Sequence, residues 1–174
     1  MLDDGYQDGA VTQRNGHQPA GPFRGGKYSL FEAGTRIPFL VSWPSTIKPG
    51  VSDALVCQMD WLRSFASLLK KPLAAGEAGD SYDLLPALLG QSATGRPHLV
   101  EQADALALIS GKWKYIPANN LVPYKPLTDT ETGGSSQPQL YDLSTDPGER
   151  NNLAAKQPAV CRQLQALLDA EVKR

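Results

Sequence analysis

The residues best suited to chemistry are two glycines followed by a lysine, at Gly25, Gly26 and Lys27. Glycines let a backbone approach a ligand closely, and a lysine beside them offers a compact cation with three hydrogen-bond donors. This combination suits an oxyanion such as sulfate or phosphate. The G-x-x-x-x-G-K-[ST] spacing of a nucleotide-binding P-loop is missing. The residues alone leave two interpretations open, an oxyanion site and a surface turn with solvated charges.

The Gly-Gly-Lys segment is the first of several motifs that follow one another along the chain. They are RGGK at 24–27, EAGTRIP at 32–38, WP at 43–44, LLPALLG at 84–90, GKWKYI at 111–116 and LYDLSTDPGERNNLA at 140–154. In this order they resemble the C-terminal part of the arylsulfatase-like, formylglycine-dependent sulfatase family. The sequence departs from the family pattern at Ala33 and Ser45, where glycine is usual. Both substitutions are small and leave the resemblance intact.

The resemblance implies a protein that hydrolyses sulfate esters with calcium as cofactor, on the α/β fold of the alkaline-phosphatase-like superfamily. The substrate would be an aryl sulfate, another sulfated small molecule or a sulfated glycan. The family's Gly-Gly-Lys lysine maps onto Lys27. Lys27 is therefore the expected catalytic residue of the complete enzyme, binding a sulfate oxygen and offsetting charge at sulfur as the ester bond breaks.

The family's nucleophile, a formylglycine made from the first residue of C/S-x-P-x-R, has no match in this sequence. Cys57 and Cys161 are not followed by that motif, and Ser42 precedes Pro44 at the right spacing but has Thr46 where arginine is required. A lysine can bind an anion but cannot by itself hydrolyse a sulfate ester. The chain alone is predicted to be inactive and to depend on an N-terminal catalytic segment.

Further substrate contacts are predicted at His17, Arg24, Tyr124 and Lys125. The last two lie in a polar stretch at 117–138 that is rich in Pro, Gly, Asn and Thr. Unstructured connections longer than about 12–15 residues are usually functional or disordered. The stretch is therefore either a substrate-cleft loop or a disordered insertion.

Asp3 and Asp4, followed by Gly5, are a superficial match to an Asp-Asn-Gly that the family uses for calcium. Carboxylate oxygens suit this cation. Two aspartates offer too few ligands, however, and the alternative places the calcium ligands upstream of the chain. Calcium is therefore expected in the complete enzyme, and no metal is expected on this chain.

Hydrophobic periodicity predicts the elements that must position these residues. A nearly continuous apolar run at 36–43 indicates a buried strand. Ser52 and the helical spacing after it indicate a helix that continues to about Lys70. A second, short helix at 82–90 closes at Gly90.

From about residue 97 the pattern becomes that of strands. A hairpin at 105–116 turns at Ser110 and Gly111, and a short strand follows at 139–143. The last element is an amphipathic helix whose apolar face carries Val160, Leu164, Leu167 and Leu168. These elements predict an α+β fold for the isolated chain, with a small antiparallel sheet and a covering C-terminal helix.

The resemblance divides the chain in two. Residues 1–92 would be the incomplete C-terminal part of the catalytic α/β domain, and residues 93–174 a C-terminal subdomain with the antiparallel sheet and helix. The polar, turn-rich start at Met1 predicts a cut within a longer protein. The missing signal peptide therefore leaves the compartment open, and the resemblance suggests a periplasmic, secreted or lysosome-like location.

A formal net charge of −1 gives no electrostatic footprint for nucleic acid or for a membrane surface. No apolar run approaches the roughly 20 residues that span a bilayer. Two alternative functions remain. One is a noncatalytic fragment that binds anions, or associates into a homo-oligomer through exposed apolar surface. The other is a phosphatase or phosphonate hydrolase on the same scaffold.

Overall fold

The computed structural model describes residues 18–173, which fall into two compact units. The sheet unit combines the described residues up to Ile37 with those from Val100 onward, and the helical unit is Pro38–Leu99. The segment that carries Lys27 therefore packs with the C-terminal sheet. The division at residue 92 concerns the domains of the complete protein and stays a prediction.

An antiparallel sheet forms the centre of the sheet unit, with four strands in the order β1-β2-β3-β6. The strands are β1 (His98–Gln102), β2 (Leu106–Ser110), β3 (Trp113–Ile116) and β6 (Gln139–Asp142). Strand β3 pairs antiparallel with both β2 and β6. The hairpin between β2 and β3 turns where predicted, and Gly111 there adopts a left-handed φ of 55°. The predicted α+β fold is confirmed, and β1 is an additional strand.

Both faces of this sheet are buried. Helix α4 (Pro158–Val172) covers one face and places Leu164 and Leu168 in an apolar cluster. The other members of that cluster are Leu108, Tyr115, Leu140 and Cys161. Because neighbouring strand residues point to opposite faces, Ala107, Ile116 and Tyr141 pack on the second face against Leu30 and Phe31. The residues just after the Gly-Gly-Lys motif thus form part of the core.

A short helix, α1 (Glu32–Thr35), follows these core residues. The stretch at 117–138 is structured, because β4 (Tyr124–Lys125) and β5 (Thr130–Glu131) pair antiparallel around a 3₁₀ turn at Pro126–Thr128. The disordered alternative for this stretch is therefore wrong. The stretch is ordered because its backbone N–H and C=O groups hydrogen-bond to each other and to neighbouring segments.

The helical unit contains α2 (Trp61–Leu68) and α3 (Leu85–Leu88). Helix α2 begins later than predicted, after a 3₁₀ turn at Gln58–Asp60. The reason is local: the Asp60 carboxylate accepts the Cys57 N–H at 2.9 Å, whereas the Ser52 hydroxyl bonds only to Ala54 N–H in a tight turn. No helix within residues 18–173 has the length and apolar character that crossing a membrane requires.

The strand predicted at 36–43 is wrong. These residues form no ladder within the described part of the chain, and their apolar side chains are exposed, with Leu40 89% accessible. An isolated extended segment has no partner for its backbone hydrogen bonds, so apolar character alone does not make it a strand. The expected helix end at Gly90 is correct, since that residue has a φ of 68°.

Candidate anion-binding site

The Gly-Gly-Lys motif forms a tight turn that leaves Lys27 on the surface. Gly25 has a φ of 83°, and a Cβ added there would lie 2.3 Å from the Ser29 hydroxyl. The turn is closed by the Ser29 N–H, which donates to the Gly26 carbonyl at 3.0 Å. Tyr28, next to the lysine, also takes a left-handed φ of 69°. Glycine at 25 is thus required by both conformation and space.

Two hydrogen bonds fasten the residues after this turn to β5 and its neighbour. The Ser29 hydroxyl donates to the Glu131 carbonyl at 2.6 Å, and Leu30 N–H donates to the Thr132 carbonyl at 2.9 Å. Leu30 is fully buried. Lys27 is therefore an exposed residue on a turn whose following residues are anchored in the core.

Arg24, at the start of the motif, bonds to several protein groups. Its guanidinium contacts both carboxylate oxygens of Glu131, at 2.9 and 2.6 Å, and donates to the Glu149 carbonyl at 2.9 Å. It also lies 4.0 Å from the centre of the Phe31 ring. The hydrogen bond to Glu131 raises the pKa of Arg24 and lowers the pKa of Glu131. These contacts make Arg24 an anchor of the segment, and its predicted contact with substrate stays a prediction.

The β4–β5 hairpin brings a second predicted substrate residue, Lys125, to the aromatic ring that Lys27 also approaches. The ammonium groups of Lys27 and Lys125 each lie 5.1 Å from the centre of the Tyr28 ring, within cation–π range. Lys125 also lies 3.4 Å from the Asp104 carboxylate. Two residues that are far apart in sequence thus share one aromatic side chain at the surface.

Tyr124 is exposed and uses its hydroxyl locally. It donates a hydrogen bond to the Asp129 carboxylate, which raises the pKa of the tyrosine. His17, Asp3 and Asp4 lie outside the described residues. Within residues 18–173, no group of three or more His, Cys, Asp or Glu side chains is arranged to hold a metal ion. The described residues therefore do not fit a calcium site.

Neither cysteine forms a disulfide. Cys161 lies on α4 and is buried against the sheet, and burial raises the pKa of its thiol, which disfavours the reactive thiolate. Cys57 is partly buried at the start of the 3₁₀ turn before α2. Both cysteines therefore occupy the positions of ordinary small side chains, one buried and one partly buried.

A buried charge cluster beneath the segment is a feature that sequence reasoning missed. Lys114 on β3 is fully buried, and its ammonium group contacts Glu32 of α1 at 3.0 Å and also Glu101 of β1. Glu149, also fully buried, lies close enough to influence Lys114 electrostatically. Burial acts to lower the pKa of Lys114, but the three carboxylates outweigh burial and raise it. Alternation along a strand puts Lys114 on the face opposite to Trp113 and Tyr115, and no local signal in the sequence shows that this face is covered.

Comparisons with known proteins show which family this chain resembles. Residues 9–71 match the Sulfatase family. An N-acetylgalactosamine-6-O-sulfatase of Bacteroides thetaiotaomicron is 48% identical over 172 residues, which are 98% of this chain and 34% of that protein. Human arylsulfatase A is 34% identical over 166 residues, which are 85% of this chain and 32% of that protein.

A solved structure from work on the metabolism of multiple glycosaminoglycans by Bacteroides thetaiotaomicron has a TM-score of 0.92 and 47% sequence identity. The match covers 100% of this chain and 37% of that chain. The fold is thus that of alkaline-phosphatase-like hydrolases. The chain belongs to the sulfatase family, and the predicted resemblance to a C-terminal sulfatase segment is confirmed. It spans about a third of the length of the relatives it matches.

Proposed function

We propose that this chain is the part of a sulfatase that supplies a sulfate-binding lysine, Lys27, and a substrate-cleft loop at 117–138, which contains the β4–β5 hairpin. The complete protein would hydrolyse sulfate esters. The observation that supports the proposal is the geometry of the Gly-Gly-Lys turn, which exposes Lys27 while anchoring the residues after it. A fixed cation beside a sulfate ester stabilises charge that develops on oxygen in the transition state.

The substrate class we favour is a sulfated sugar. Lys125 and Tyr124 lie on a hairpin, where Lys125 approaches the ring of Tyr28, the residue next to Lys27, and together they offer a cation and an aromatic ring to a larger ligand. The name of the Bacteroides relative, an N-acetylgalactosamine-6-O-sulfatase, supports the same class. An aryl sulfate is the second candidate. His17 and Arg24 remain proposed substrate contacts.

The helical unit supports the need for a further catalytic segment. Its surface carries an apolar groove of about 230 Å³, lined by Phe39, Trp43, Trp61, Phe65, Leu88 and neighbouring apolar side chains. Leu69 is 67% accessible and Val51 is 99% accessible. Exposed apolar surface of this kind marks an interaction site. We propose that the N-terminal catalytic segment covers it, and self-association through the same surface is the competing function.

Sulfatases generally use calcium. Because the described residues do not fit a calcium site, we propose that the metal is bound by the complete enzyme and that Lys27 acts only through its own charge. The chain alone is proposed to be inactive, since no residue of it begins a formylglycine motif.

The test compares Lys27→Met with Lys156→Met, a surface lysine of the same unit. In the complete enzyme, assayed with N-acetylgalactosamine 6-sulfate, loss of Lys27 should lower kcat about 100-fold or more, as for other groups that stabilise transition-state charge. The Lys156→Met control should retain activity. An unchanged kcat in Lys27→Met would overturn the proposed role.

The 174-residue chain alone should release no sulfate from the same substrate. Analytical ultracentrifugation distinguishes self-association through the apolar surface from coverage of that surface by the catalytic segment. If the chain forms a stable homo-oligomer that persists when the catalytic segment is added in excess, self-association is the function of the apolar surface. If the added segment disperses the oligomer, the proposal stands.

A further inference from the structure

Glu149 combines two unfavourable features in one residue. It lies in the turn after β6, its backbone has a left-handed φ of 52°, and its side chain is fully buried. Residues other than glycine rarely adopt this conformation, and carboxylates are rarely buried without a full set of partners. One carboxylate oxygen of Glu149, Oε1, has no hydrogen-bond partner. Such strain persists only where surrounding contacts hold it in place.

The contacts of Glu149 lead to both ends of the segment that carries Lys27. Its carboxylate Oε2 accepts the backbone N–H of Glu32 at 2.7 Å, and its backbone carbonyl accepts the Arg24 guanidinium at 2.9 Å. The segment is closed on itself between these points, because Ala33 N–H donates to the Arg24 carbonyl at 2.9 Å. Glu149 thus holds residues 24–32 as one unit, with Lys27 near its apex.

We propose that Glu149 is a positioning residue that holds the Gly25–Gly26–Lys27 turn in place by fastening both ends of residues 24–32. The importance of this position rests on the proposed role of Lys27 in binding sulfate. The fastening itself does not depend on that role. The two can therefore be tested separately.

The charges around Glu149 make this fastening depend on pH. The groups that face it are Lys114 from β3, Glu101 from β1, Glu32 from α1, Tyr141 from β6 and the Arg24 guanidinium, and Arg36 pairs with Glu32 at 2.6 Å. Burial raises the pKa of Glu149 to about 7, although Lys114 opposes the shift. The carboxyl group therefore changes its protonation near neutral pH while it is held in the structure.

The sign follows from the raised pKa. The folded segment favours the protonated carboxyl, so holding the segment closed becomes harder as pH rises from about 4.5 towards 7 and above. If local opening returns Glu149 to its ordinary pKa of 4.5, the opening equilibrium should increase about tenfold between pH 6 and pH 8. This is the expected loss of protection at the amides of residues 24–32.

The experiment measures native-state hydrogen exchange of the 174-residue chain at pH 6 and pH 8, corrected for the intrinsic exchange rate. Wild type should lose about tenfold protection at Glu32, Ser29 and Leu30. Glu149→Gln, which mimics the protonated form, should keep the high protection at both values. Glu149→Ala should lose protection at both.

The matched control is Glu77→Gln. Glu77 also accepts a backbone N–H, from Ala74 at 2.7 Å, but it is exposed. Its substitution should leave the pH dependence of residues 24–32 unchanged. If amides of β2 and α4 respond to Glu149→Gln as strongly as residues 24–32, Glu149 stabilises the unit globally and the proposal is overturned.

A sulfate-binding experiment tests the positioning role of Glu149 separately from the proposed role of Lys27. Inorganic sulfate is titrated into wild type, Glu149→Gln and Lys27→Met, and the amide resonances of 24–32 are followed by NMR. Weaker binding at pH 8 than at pH 6 in wild type, absent in Glu149→Gln, supports the positioning role. If Lys27→Met binds sulfate as wild type does, the proposed role of Lys27 fails while the exchange result still decides the role of Glu149.

Discussion

Lys114→Met tests the buried charge cluster, because it removes the cation and keeps most of the side-chain volume. Lys114 is fully buried and contacts Glu32 and Glu101, whose side chains are 1% and 8% accessible. Removing one partner of a buried ion pair costs about 3–5 kcal/mol, since an uncompensated charge is left behind. Glu101 loses the cation that it contacts, whereas Glu32 keeps its pair with Arg36 at 2.6 Å, so we expect the sheet unit to lose stability within this range at pH 8.

The loss should be smaller at acidic pH. Lys114 opposes the raised pKa of Glu149, so without this cation the Glu149 carboxyl is protonated more readily, and one unit of pKa corresponds to about 1.4 kcal/mol. We therefore expect Lys114→Met to recover about 1 kcal/mol or more between pH 8 and pH 5 relative to wild type. The measurement is urea unfolding followed through the amide resonances of β2 and β3, because these strands lie in the sheet unit.

Lys112→Met is the matched control. It lies two residues away and pairs with Asp142 at 2.6 Å, but its side chain is 52% accessible. Exposed pairs contribute little because water and salt screen them, so this variant should unfold close to wild type. Equal midpoints for Lys114→Met and Lys112→Met would refute the reasoning that burial makes the cluster essential.

Two further predictions concern close packing and the helical unit. Gly34→Ala should destabilise the sheet unit by about 1–3 kcal/mol, because its Cβ would lie 2.2 Å from the Ser29 carbonyl oxygen. Thermal unfolding should show no such loss for Gly79→Ala, whose added Cβ would meet no atom within 4 Å beyond its chain neighbours. Arg96→Met should cost about 3–5 kcal/mol, because it leaves the buried Asp60 carboxylate without its ion-pair partner at 2.9 Å. Tryptophan fluorescence during urea unfolding measures it, and an unchanged midpoint would contradict the prediction.

Much of the fold could be predicted because its signals are local. The turn at Gly111, the end of the short helix at Gly90 and the amphipathic face of α4 each depend on residues a few positions apart. The order of the motifs was sufficient to predict the sulfatase family. Hydrophobic pattern failed at 36–43, because whether an apolar run becomes a strand depends on a partner that the pattern does not contain.

The candidate site shows the same division. The sequence by itself determined that Lys27 follows two glycines and that a polar stretch at 117–138 offers Lys125. Only the tertiary structure decided that Lys125 lies beside Tyr28, and that the hairpin is fastened to the segment through Arg24 and Glu131, residues 107 positions apart.

The buried charges are the clearest case. In the sequence, Lys114 and Lys112 alternate with aromatic residues, a pattern that predicts two solvent-exposed lysines. Lys112 fits this pattern, since its side chain is 52% accessible. Glu32, 82 residues earlier, turns Lys114 into the centre of a buried cluster. Composition and spacing determined which charges the chain carries. Burial, which sets their pKa values and their energetic weight, arises only when distant segments exclude water from around them.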